Sequence, residues 1–77
     1  MNQLQKQQKL DSLCEIEGYE DGTDMLLQRG NDSCVPAICS NDDCNYTCEM
    51  EPDQSSGYCE ECKTSTVVSF MILMDII

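Results

Sequence analysis

The chain contains no histidine and no tryptophan, and only one of its 77 residues is phenylalanine. Without histidine it lacks the side chain that most often moves protons near neutral pH, which disfavours a catalytic role. Large aliphatic and aromatic residues are also sparse before residue 66. Because a domain this small buries only about 60% of its unfolded surface, we expect its fold to need a cross-link or a metal ion.

Basic residues are scarce as well. The chain has four basic residues in total and 15 acidic residues, which gives a net charge of −11. Nucleic-acid affinity depends on cations that displace counterions from phosphates, so DNA or RNA binding is disfavoured, although Tyr46 and Tyr58 could stack on bases. A basic protein surface is an easier partner. The alternative is that the acidity only keeps the protein in solution. The four cations are scattered along the chain: Lys6, Lys9, Arg29 and Lys63.

No long apolar run is present. Residues 1–10 are rich in glutamine and lack the apolar core of a signal peptide, so we expect the protein to stay in a reducing cytoplasm. The most apolar stretch, residues 64–77, is shorter than the roughly 20 residues of a membrane span, and Asp75 interrupts it. We therefore expect no membrane association.

What the chain does have is seven cysteines. Cys39 and Cys44 form a C-x4-C pair, and Cys59 and Cys62 form a C-x2-C pair 14 residues further on. Two such pairs are typical of structural zinc sites with four thiolate ligands. We predict that these four residues bind one zinc ion. Disulfides are the alternative, disfavoured by the odd number of cysteines, and an iron centre with the same four ligands is another.

Cys14, Cys34 and Cys48 remain, and we expect all three to be free thiols. Cys34 could replace Cys39 as a ligand, and a Cys14–Cys34 disulfide would require oxidising conditions. A redox role for the C-x2-C pair is disfavoured because its flanking glutamates oppose thiolate formation. Four thiolates also fill the coordination shell of zinc, so we expect no enzymatic activity.

Local patterns predict a few short elements. Residues 1–18 should be flexible or weakly helical. Residues 19–33 should hold a short helix, capped by Thr23 and ended by Gly30, with Met25, Leu26 and Leu27 on its buried face, followed by a loop. Residues 45–50 read as a strand, and residues 64–77 as an apolar strand because β-branched and aromatic residues favour sheets.

Five strings give the chain a family resemblance: VPAIC (35–39), CNYT (44–47), EMEPDQ (49–54), GYCEEC (57–62) and TVVS (66–69). Together they resemble short, mostly uncharacterised zinc-ribbon proteins of phages, including marine phages, and of bacteria. The resemblance implies that Cys39, Cys44, Cys59 and Cys62 are the metal ligands. The predicted fold is a small metal-stabilised domain with a zinc-ribbon hairpin or three-stranded sheet over residues 34–77, after one or two short helices.

These features favour a non-enzymatic protein-binding module, such as a phage-encoded adaptor or modulator of a host machine like the transcription apparatus. We expect a partner with a basic or apolar surface, or self-association through the edge of the C-terminal strand. The alternatives are a minor structural or assembly component of a virion and a nucleic-acid-binding zinc ribbon. The location would be the cytoplasm, of the host if the protein is phage-encoded, or the virion.

Overall fold

An N-terminal pair of helices precedes a sheet made of two β-hairpins. The computed structural model describes residues 2–76. The strands form one antiparallel sheet in the order β2-β1-β4-β3, so the sheet has four strands rather than the predicted hairpin or three strands. The elements are α1 (Gln3–Glu17), α2 (Gly22–Arg29), β1 (Val35–Cys39), β2 (Thr47–Met50), β3 (Gly57–Cys59), β4 (Thr64–Ser69) and α3 (Phe70–Leu73).

Helix α1 occupies nearly all of the segment for which we predicted weak helicity. Its N-terminus carries a capping box: the Asn2 side chain accepts from the Gln5 N–H at 2.8 Å, and the Gln5 side chain accepts from the Asn2 N–H at 3.0 Å. Gly18 ends the helix in the left-handed conformation, with a φ of 85°. Local sequence thus specifies both ends of α1, and Met1 lies outside the described residues.

Helix α2 begins earlier than predicted. Asp21, not Thr23, is its cap, and the Asp21 side chain accepts from the Asp24 N–H at 2.9 Å. Gly30 follows its last residue, as predicted. Leu27 was expected on the buried face, but its side chain is 80% exposed. It follows the fully buried Met25 by two residues, and residues two apart point to nearly opposite sides of a helix.

Two apolar clusters stabilise the fold. The cluster formed around the helices, called the helical core below, is larger than the sequence suggested. Helix α1 contacts α2, α3 and β1, and a Cβ atom on Gly22 would lie only 2.8 Å from the Leu10 side chain, which shows how closely α1 and α2 approach. The helical core consists of Leu10, Leu13, Cys14, Met25, Val35, Ile38, Phe70, Met71 and Leu73. The metal-side core consists of Ala37, Cys39, Cys44, Met50, Cys59 and Val67.

The C-terminal run corrects two predictions: that residues 64–77 form a strand, and that this strand has an exposed edge. Its strand ends at Ser69, whose hydroxyl accepts from the Ile72 N–H at 3.4 Å and caps α3. Phe70 is fully buried in the helical core. Strand β4 lies between β1 and β3, so it has no free edge, and the edge on which the expected self-association rested is absent. The free edges belong to β2 and β3, and Ile77 lies outside the described residues.

Candidate metal centre

The two β-hairpins bring their turns to the same end of the sheet. Residues 40–46 connect β1 to β2 and form the first turn, and residues 60–63 connect β3 to β4 and form the second turn. Because β1 and β4 are antiparallel, with Cys39 opposite Val67, the end of β1 lies beside the start of β4. Each turn therefore presents one of the two cysteine pairs.

The sulfur atoms of Cys39, Cys44, Cys59 and Cys62 all lie within 4.8 Å of one another. The Sγ atoms of Cys39 and Cys62 are 3.8 Å apart, and those of Cys44 and Cys59 are 3.7 Å apart. A tetrahedral ion with sulfur ligands at about 2.3 Å requires sulfur separations of about 3.8 Å. A disulfide would require about 2.05 Å, and all seven cysteines are free thiols. The cluster could therefore hold one metal ion.

Three of the four cysteines are buried, and Cys62 is half-buried. The sulfur atoms have polar neighbours that suit thiolates. The Thr66 hydroxyl lies 3.1 Å from Cys39 Sγ, the Asn41 side-chain amide donates to Cys62 Sγ at 3.2 Å, and the Cys62 N–H donates to Cys59 Sγ at 3.3 Å. Such outer partners orient the sulfur atoms of a metal site.

The thiols of the cluster influence one another's ionisation. Burial opposes ionisation of Cys39, but hydrogen bonds from Thr66, from the Asn41 backbone and from neighbouring thiols outweigh it and lower the pKa of Cys39 to about 7. A hydrogen bond from the Tyr46 backbone favours the Cys44 thiolate, but burial and the neighbouring sulfurs raise the pKa of Cys44 to about 12. Without a cation, one thiolate thus suppresses the next. A divalent cation removes that repulsion, and its binding releases protons.

The other three cysteines lie outside the cluster. Cys34, the alternative to Cys39, is exposed and is not a member of the four-sulfur group. Cys14 belongs to the helical core, where burial raises the pKa of its thiol. Cys48 is half-buried beside the metal-side core, and burial also raises its pKa. The spacing of the two pairs therefore identified the residues that the fold brings together.

Three polar neighbours of the cluster were not predicted. Lys9 is only 5% exposed, and its Nζ atom donates to the carbonyl oxygens of Asn41 and Cys44 in the first turn. A sequence signal existed, because Lys9 lies one helical turn before Leu13 on the apolar face of α1. Asn41 and Thr66 carry no such signal, since their contacts with sulfur arise only when the two hairpins meet.

The surface around the cluster is acidic. Both turns expose carboxylates: Asp42 and Asp43 in the first, and Glu60 and Glu61 in the second. Glu61 Oε2 lies 3.7 Å from Cys44 Sγ. Beside the second turn, Tyr58 on the edge strand β3 is 56% exposed. This end of the molecule therefore combines negative charge with an exposed aromatic ring.

Between residues 2 and 76, no helix has the length and apolar character that crossing a membrane requires. Comparison of the chain with protein-family models, with curated proteins and with solved structures found no match. The resemblance to phage and bacterial zinc ribbons therefore stays a prediction.

Proposed function

We propose that this chain is a non-enzymatic protein-binding module in which Cys39, Cys44, Cys59 and Cys62 hold one structural zinc ion. The observation that carries the proposal is the pair of sulfur separations, 3.7 and 3.8 Å, which match a tetrahedral site. Four sulfur ligands in a tetrahedral arrangement favour zinc or iron. We favour zinc because the C-x4-C loop departs from the two C-x2-C loops of rubredoxin-type iron sites.

A structural role for the ion follows from the donor set. Four thiolates leave no open position for water or substrate, and the chain has no histidine to act as a general base. The ion instead joins the two hairpin turns, which are also connected by the hydrogen bond from Asn41 to Cys62 Sγ. It thereby fixes the acidic surface at this end of the sheet.

The partner we propose is a protein with a basic surface. Four thiolates around one divalent cation retain two negative charges, which add to the exposed carboxylates of both turns. Complementary charge guides association and sets specificity. The resemblance to phage zinc ribbons suggests a more specific role. We propose that the chain is an adaptor or modulator that acts on a host machine such as the transcription apparatus.

The test is affinity capture from the source cells at several salt concentrations. One variant combines Asp43→Asn with Glu60→Gln, which removes one charge from each turn and spares Glu61, a neighbour of Cys44 Sγ. The matched control is Glu15→Gln with Glu17→Gln, the same charge change on exposed positions of α1. We expect the first variant to lose capture of the partner. The control should capture the partner as the unmodified chain does, and less of it as the salt concentration rises. All three proteins should bind one zinc ion per chain.

Two results would contradict the proposal. Equal capture by both variants would show that the turns do not form the binding surface. Capture that nuclease treatment abolishes would favour the nucleic-acid alternative.

A further inference from the structure

Lys9 makes an unusual connection between α1 and the metal centre. Its ammonium group is buried and donates to two backbone carbonyls of the first turn, those of Asn41 and Cys44, the latter at 2.5 Å. The Asn41 carbonyl also accepts from the Cys44 N–H at 3.1 Å. One side chain of the N-terminal helix thus holds the turn that carries a predicted ligand.

The charge of Lys9 has no carboxylate partner among residues 2–76. The ion pairs in this range involve Lys6 and Arg29, and Asp42 lines the cleft beside Lys9 without forming an ion pair with it. Burial of an ammonium group is costly unless hydrogen bonds and an opposite charge compensate it. The carbonyls supply the hydrogen bonds. A metal–thiolate group with two net negative charges would supply the opposite charge.

We propose that Lys9 is a positioning residue of the metal site, which orients the Cys44 turn and offsets part of the negative charge of the metal–thiolate group. This inference rests on the metal ion of the proposed function. It makes α1 part of the metal site, although α1 contributes no ligand.

Metal binding and the docking of α1 should strengthen each other. If the docked Lys9 raises the affinity for the metal, the bound metal must strengthen the docking of α1 by the same factor. Outer partners of metal ligands typically contribute 10- to 100-fold to metal affinity. Metal loss would then loosen α1 from the sheet as well as open the turns.

The experiment compares the zinc affinity of the full chain and three variants by competition with a chromogenic chelator. Lys9→Met keeps the approximate length of the side chain but removes its charge and its hydrogen-bond donors. Lys9→Arg keeps the charge and the donors. Lys6→Met is the matched control, because Lys6 lies on the same helix and pairs with Asp75 instead of the turn. We expect Lys9→Met to lose about 10- to 100-fold in affinity, and Lys9→Arg and Lys6→Met to stay within about threefold of the unmodified chain.

A second readout separates positioning from general stability. In the zinc-loaded proteins, alkylation of each cysteine is followed by peptide mass spectrometry. Lys9→Met should increase the reactivity of Cys44 relative to Cys59, because only the Cys44 turn loses its hydrogen bonds. If Lys9→Met does not fold, Lys9→Gln, which keeps a donor without the charge, gives the same comparison.

An affinity of Lys9→Met equal to that of Lys6→Met would overturn the inference alone. So would an equal rise in reactivity at all four cysteines, or an arginine variant as weak as the methionine variant. An unmodified chain that binds no metal would overturn the proposed function as well, so the two failures are distinguishable.

Discussion

At the scale of single residues, the cysteines differ in their surroundings more than in their chemistry. Cys62 is half-buried and accepts a hydrogen bond from Asn41, whereas Cys34 is exposed and lies outside the cluster. The C-x4-C and C-x2-C spacings were enough to distinguish them from sequence. Lys9, Asn41 and Thr66 could not be placed in the same way, because their contacts depend on how α1 and the hairpins pack together.

The first prediction follows from that difference. Cys62→Ser should weaken zinc binding by more than about 100-fold, beyond the usual effect of outer partners, because a serine hydroxyl is a poor substitute for a thiolate ligand. Cys34→Ser, which makes the same chemical change at an exposed site, should leave zinc affinity unchanged. Chelator competition measures both. Equal affinities for the two variants would contradict the ligand assignment.

The second prediction concerns pH. In the metal-free protein the pKa of Cys44 is raised to about 12, so near neutral pH this thiol is protonated and must lose its proton to bind a metal. Metal affinity should therefore increase with pH, by at least about tenfold per pH unit, and decrease as the solution becomes more acidic. Zinc competition in matched buffers measures this slope. An affinity that does not change with pH would show that the four thiols do not take part.

At the scale of elements, the C-terminal run shows where local sequence was insufficient. Val67 and Val68 favour a strand, and β4 includes them. The next residues are apolar and fit either a strand or a buried helix. The strand ends at Ser69, whose hydroxyl caps α3. Phe70, the first residue of α3, packs in the helical core. Strand propensity predicted the first half correctly, and tertiary packing determined the second.

This packing leads to the third prediction. Phe70→Ala should lower the free energy of unfolding of the zinc-loaded protein by about 3–5 kcal/mol, because it leaves a cavity among fully buried side chains. Ile76→Ala removes apolar atoms at a position that is 48% exposed and should change stability far less. Urea unfolding of both variants provides the comparison. If Phe70→Ala unfolded at the same urea concentration as the unmodified chain, the placement of α3 in the core would be contradicted.

At the scale of the whole molecule, the start of α1 lies beside the residue Asp75 that follows α3. The Lys6 ammonium pairs with the Asp75 carboxylate at 2.5 Å, and Gln3 donates to the same carboxylate at 3.0 Å. These contacts lower the pKa of Asp75. The sequence predicts a cross-link or a metal ion because large apolar residues are sparse before residue 66. The helical core is larger than expected, since α1 and α3 come together from opposite ends of the chain, which no local pattern reveals.

Three of the six residues of the metal-side core are cysteines, and β3 has only three residues. The pairing of β1 with β4 joins the two hairpins, but the end of the sheet that carries their turns has few apolar side chains besides the cysteines. Under the proposed function, we predict that the metal ion supplies a large share of the folding free energy.

The most direct test removes the ion from the reduced protein with a chelator and follows the amide NMR spectrum. We predict that the dispersed signals of residues 34–69 collapse and that one equivalent of zinc per chain restores them. A metal-free, reduced chain that keeps its full dispersion would contradict the account, as would a disulfide at Cys39, Cys44, Cys59 or Cys62 in the native protein.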